Sequence, residues 1–77
     1  MNNLDYIISI VILEQKAEFN AQQILDSVQR DYRDAVSNII DSLLDIISQK
    51  IQALWNANVL TSNGFSYYYV NSNYSLN

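Results

Sequence analysis

Arg30 and Arg33 are the residues of this chain best suited to do chemistry. They stand in Gln29-Arg30-Asp31-Tyr32-Arg33-Asp34, the most charge-dense stretch of the sequence. A guanidinium is permanently charged and presents a planar fork of donors, which matches a phosphate oxygen pair. The pair therefore reads as a phosphate clamp. Asp31 and Asp34 lie between and beside the arginines, so the stretch also reads as a salt-bridged surface turn. Ser37 and Asn38 follow a few residues on. An asparagine amide can read the major-groove edge of adenine with two hydrogen bonds. Lys16 is a candidate backbone contact, though a lone lysine is more often a solvated one. Asn63 is a candidate minor-groove contact at a turn.

Other chemistries are excluded by composition. The chain has no histidine and no cysteine, which removes the usual metal ligands and most nucleophile–base pairs. Gly64 is the only glycine, so there is no glycine loop to cradle a nucleotide phosphate. An enzyme, a metal site and a cofactor are not expected. The net charge is −4, from eight acids against Lys16, Arg30, Arg33 and Lys50. A DNA-binding domain normally carries a basic footprint, and this balance favours the rival class, a protein-interaction module that does not bind DNA.

The elements that must position these residues follow from apolar spacing. Seventy-seven residues make one small domain, which buries a limited core and often leans on a second chain. Leu4, Ile7, Ile8, Val11 and Ile12 recur with helical period, while Ile10 and Leu13 fall off that stripe. A helix apolar on more than one side meets more than one partner. Ile8, Ile10 and Leu13 are accordingly expected at a homodimer interface. The apolar run is too short to span a bilayer and lacks a basic leader, so a cytoplasmic protein without membrane contact is expected.

Lys16 to Phe19 reads as a connector. Asn20 and Gln23 form a capping box, with Phe19 and Ile24 as the hydrophobic staple around it. The second helix turns Ile24, Leu25 and Val28 inward and ends near Gln29 to Asp31. Asp31 or Asp34 caps the third. That helix carries Val36, Ile39, Ile40, Leu43, Leu44, Ile47, Ile51, Leu54 and Trp55, an apolar arc wider than one core contact needs. Lys50 lies within the arc, its stem on apolar surface. The helix runs to Trp55, with a break near Asp41 to Asp45 left open. Asp41 and Asp45 occupy its outer face with Asn38, so only the N-terminal end suits phosphate, and the helix dipole favours anions there.

Asn63-Gly64 is a strong two-residue hairpin signal. It sets Val59 to Ser62 against Phe65 to Val70, with Leu60 opposite Tyr67 and Val59 opposite Tyr68. Both faces are apolar or aromatic, so the pattern leaves open which is buried. Residues 71–77 form a polar tail expected to fray, with Tyr74 and Leu76 able to dock.

Three segments carry a family resemblance: Phe19-Asn-Ala-Gln-Gln-Ile-Leu, Lys50-Ile-Gln-Ala-Leu-Trp-Asn-Ala-Asn-Val-Leu, and Asn63-Gly-Phe-Ser-Tyr-Tyr-Tyr-Val. Together they resemble the winged helix-turn-helix family. Where that family usually has a glycine after the third helix, this chain has Asn58, which tolerates the left-handed conformation. The asparagine- and isoleucine-rich usage is similar to the TubR-type centromere-binding proteins of type III plasmid and phage partition systems. The resemblance implies a mainly α fold with a C-terminal β-hairpin: a winged domain over residues 1–70, followed by the tail, assembled as a homodimer. It implies sequence-specific binding of double-stranded DNA at repeated or palindromic sites, as a partition adaptor that presents DNA to a tubulin-like GTPase filament or as an autorepressor. Arg30, Arg33, Ser37, Asn38, Lys16 and Asn63 are the residues that would carry it.

Overall fold

Asn20 organises the middle of the chain. In the computed structural model, which describes residues 3–64 and 66–76, its side chain accepts the Gln23 amide at 2.9 Å. Gln23 returns the bond to the Asn20 amide at 2.8 Å, completing the expected capping box. Helix α1 spans Asn3–Leu13 and helix α2 spans Ala21–Asp31. Phe19 and Ile24, on either side of the cap, are both buried, as a hydrophobic staple requires.

The segment before the cap does more than connect. Phe19 bridges to Tyr68 by two backbone hydrogen bonds, Phe19 N to Tyr68 O at 2.9 Å and Tyr68 N to Phe19 O at 2.8 Å. Their rings tilt together at 6.3 Å between centroids. A residue between the first two helices thus fastens the C-terminal hairpin to the helices.

The expected third helix is interrupted. Helix α3 covers only Arg33–Val36, a 3-10 turn covers Ser37–Ile39, and helix α4 runs from Ile40–Asn56. The break falls earlier than Asp41 to Asp45. Tyr32, Val36 and Ile39 take up the bends, at φ −134°, −119° and −129°. Ser37 and Asn38 lie in the break, and serine and asparagine compete with helical hydrogen bonding through their own side chains. Neither Asp31 nor Asp34 caps α3; Tyr32 occupies the cap position without a side-chain bond.

The exit from α4 is a Schellman turn. Asn58 sits at φ 63°. The Val59 amide reaches Leu54 O at 2.9 Å and the Asn58 amide reaches Trp55 O at 3.1 Å, which satisfies two terminal carbonyls. Asparagine does here what glycine commonly does at a helix C-terminus.

The hairpin pairs strand β1, Leu60–Ser62, with strand β2, Tyr68–Val70, antiparallel. Its register differs from the expected one. Leu60 faces Val70, Thr61 faces Tyr69 and Ser62 faces Tyr68. The Asn63 amide bonds Tyr67 O at 2.9 Å. A two-residue type I′ or II′ turn needs positive φ at Asn63; positive φ falls instead on Gly64 at 86° and Ser66 at 62°. The connection between the paired strands runs over 63–67, three residues longer than a two-residue turn; Phe65 lies outside the described residues. The three-residue shift is odd, so side chains change faces. Leu60 is buried and Tyr68 and Val70 pack on the core, while Tyr67 and Tyr69 face outward.

The tail is tied down. The Asn71 backbone amide donates to Val59 O at 2.9 Å, its side-chain Nδ2 donates to Asn58 O, and Thr61 Oγ1 donates to its side-chain Oδ1. A turn closes from Tyr74 N to Asn71 O, and Leu76 N reaches Leu13 O at 3.1 Å. The backbone docks on α1, while the Tyr74 and Leu76 side chains stay exposed.

The core is apolar throughout: Ile8, Val11 and Ile12 from α1, Phe19, Ile24 and Val28 around α2, Val36, Leu43, Ile47 and Ile51 from the broken helix, and Leu60 from the hairpin. Ile8 is 1% exposed. It belongs inside the protomer and is not free for a dimer interface, because its place on the main stripe of α1 points it at α2 and α4. Ile10 and Leu13 are half-buried. No helix among the described residues is long and apolar enough to cross a membrane.

Candidate nucleic-acid interface

The bend between α2 and α4 forms an open depression of about 530 Å³, lined by Gln29, Arg30, Arg33, Val36, Ser37 and Ile40. The last turn of α2 supplies Gln29 and Arg30, α3 supplies Arg33, and the 3-10 break brings Ser37 and Ile40 round beside them. No carboxylate lines it. In a chain of net charge −4, it holds two of the four cations. Asp31 and Asp34 line an adjoining depression with Arg30, Tyr32, Arg33 and Ala35. Both arginines line both depressions.

The arginines are not equivalent. Arg30 Nε lies 3.0 Å from Asp31 Oδ1 and its Nη2 lies 3.3 Å from Oδ2. The hydrogen bond to Asp31 raises the Arg30 pKa above its ordinary value. The same bond holds the Asp31 carboxyl below its ordinary range. Arg33 is exposed and has no ion pair among the described residues. Ser37 Oγ lies 3.5 Å from Asp34 O, too long to hold the hydroxyl firmly.

The remaining candidates are dispersed. Asn38 is exposed on the 3-10 turn beside the depression but does not line it. Lys16 lines a different hollow, with Gln15, Ala17, Tyr69, Val70, Ser72 and Ser75. The Asn63 side chain donates to Glu18 Oε1, which sets a carboxylate at the hairpin tip. The fourth cation, Lys50, pairs with Asp5 at 3.0 Å and ties α4 to α1. Its stem lies largely covered, with 22% of the side chain exposed. The α3 segment is too short to offer a helix dipole to an anion, so charge at this site comes from the arginines.

Gln29 and Ile40 were not among the residues singled out by sequence. Gln29 reads as an ordinary last-turn residue. Ile40 reads as core, because it continues the apolar arc. The width of that arc was the available signal. Ile40, Leu44 and Trp55 remain 47%, 41% and 43% exposed on one flank of α4.

Comparison with known proteins adds no relative: no family model, no curated protein and no solved structure matches this chain.

Proposed function

We propose that this chain is a winged helix-turn-helix protein that binds double-stranded DNA as a homodimer. The order of elements supports the reading: helix α1, a short bridging segment at Phe19, helices α2, α3 and α4 with a 3-10 turn before the last, then a hairpin whose second strand pairs back to Phe19. The observation that carries the DNA reading is the depression lined by Arg30, Arg33 and Ser37 and by no carboxylate. Arg33 contacts phosphate directly, Arg30 does so in competition with Asp31, and Asn38 reaches a base edge from the adjacent turn. So few cations hold DNA weakly per protomer. A homodimer doubles the contacts and repeated half-sites add avidity.

Two roles fit this binding mode: a partition adaptor that presents repeated DNA to a tubulin-like GTPase filament, and an autorepressor of its own gene. Both place the protein in the cytoplasm and neither needs a cofactor. The test is a gel shift with DNA flanking the gene, at low and at physiological salt. Retarded complexes that weaken steeply with salt support the reading; no complex at low salt refutes it.

A second reading is favoured by one specific observation. Leu44 and Trp55 stand exposed on a flank of α4, beside exposed Asp41 and Asp45. An apolar and acidic surface suits a protein partner better than a phosphate backbone. On that reading the domain is an interaction module, and the gel shift is negative at all salt concentrations.

A further inference from the structure

We propose that the depression between α2 and α4 reads an A·T base pair, with Gln29 on adenine and Ile40 on the thymine methyl group. The inference rests on the DNA-binding reading above and names what that site selects.

Gln29 and Ile40 line the same depression. Gln29 is half-buried, and its side-chain amide makes no hydrogen bond among the described residues. A glutamine amide matches the donor and acceptor that adenine presents at N6 and N7. Guanine presents two acceptors there and leaves the glutamine oxygen without a donor. Ile40 is 47% exposed although it opens a helix that buries Leu43, Ile47 and Ile51. Val36, which also lines the depression, is fully buried, so part of its lining is apolar and backed by core. An exposed isoleucine in such a place gains by covering a methyl group. Thymine offers one at C5 in the major groove, on the edge where its partner adenine shows N6 and N7. Cytosine would set its amino group against the isoleucine and lose hydration without a partner. Arg30 and Arg33, which line the same depression, can hold a phosphate and fix the register of the two readers.

The probe is an A·T-rich synthetic duplex, compared with the same sequence carrying deoxyuridine in place of every thymidine. The pair differs only by the C5 methyl groups. Wild type should bind the uridine duplex about fourfold more weakly for each methyl it covers, the factor expected for one buried methyl. Ile40→Ala should bind both duplexes alike. Arg33→Ala should weaken both by the same factor and keep the preference. Circular dichroism of each variant checks that the helices remain. Equal affinity of wild type for the two duplexes overturns the inference and leaves the DNA reading standing. Retained discrimination in Ile40→Ala also overturns it. Binding of neither duplex at low salt overturns the inference and the DNA reading together.

Discussion

Arg30 lays its guanidinium across the carboxylate of its immediate neighbour, Asp31, with Nε at 3.0 Å and Nη2 at 3.3 Å from the two oxygens. Both side chains are well exposed, so the pair contributes little to stability. Its consequence lies in charge. The hydrogen bond from Arg30 holds the Asp31 carboxyl below its ordinary range, and the ion pair occupies Arg30 at neutral pH. Any stabilisation from the pair is present above that range and is lost as pH falls through the lowered Asp31 pKa. Asp31→Asn should release Arg30. Affinity for DNA at low salt should rise, and the salt dependence should steepen by about one unit of slope. A salt titration at neutral pH reads both effects. An unchanged affinity would mean that Arg30 does not meet phosphate.

The same relationship separates the two arginines. Sequence alone treats Arg30 and Arg33 as equal members of a clamp. Because Arg30 is already engaged and Arg33 is not, Arg33→Ala should weaken binding more than Arg30→Ala. Arg33→Ala should also flatten the salt slope by about one unit, evenly across DNA sequences. Asn38→Ala should alter preference at one or two positions instead. Titration of each variant against repeat and scrambled duplexes distinguishes these behaviours. Equal losses for the two arginine variants would show that the Asp31 pair opens at no cost on binding.

What could be read in advance was what local chemistry determines. The Asn20 and Gln23 box, the α1 stripe and the left-handed Asn58 each follow from residues close in sequence, and each is found. The hairpin register was misread because Asn63-Gly64 suits more than one loop, and pairing of β2 with Phe19 is a long-range event. The break at Ser37–Ile39 was misplaced because the apolar spacing continues through it. At the candidate site, the arginines and Ser37 were legible by residue type. Gln29 and Ile40 were not, since their role depends on how the break folds α4 back toward the end of α2.

Asn20→Ala removes the side-chain acceptor for the Gln23 amide and leaves Gln23 reaching to an uncapped end. The expected loss is about 1 kcal/mol. Because the staple residues Phe19 and Ile24 are core members, the change should lower the denaturant midpoint without altering the slope of the transition. An unchanged midpoint would show that α2 is held by packing alone.

Asn58 offers a paired test of the α4 exit. Its φ of 63° is adopted readily by glycine and poorly by alanine. Asn58→Ala should destabilise by about 1 kcal/mol, while Asn58→Gly should be neutral or mildly stabilising. The hydrogen bonds from Val59 to Leu54 and from Asn71 to the Asn58 carbonyl use backbone acceptors, so both variants keep them. Thermal melts of the pair provide the measurement. Equal stabilities of the two variants would mean the backbone is not left-handed at this position.

Dimerisation is best tested by two isoleucines on the same helix. Ile8 is 1% exposed and packs inside the protomer, whereas Ile10 is half-buried and lies off the core stripe. Tyr6, on the outer side of α1, is 63% exposed. If α1 meets a second copy, it does so through Ile10 and Tyr6, with Leu13 at the end where the tail docks. Ile8→Ala should therefore cost about 2–5 kcal/mol of stability and shift any monomer–dimer equilibrium only through unfolding. Ile10→Asp should leave the helical signal intact and convert a dimer to monomer, because a carboxylate in an apolar interface is left without a partner. Sedimentation equilibrium of both variants at micromolar concentration separates the two effects. A wild-type protein that is monomeric there would remove the homodimer from the proposed function, and a dimeric Ile10→Asp would move the interface away from α1.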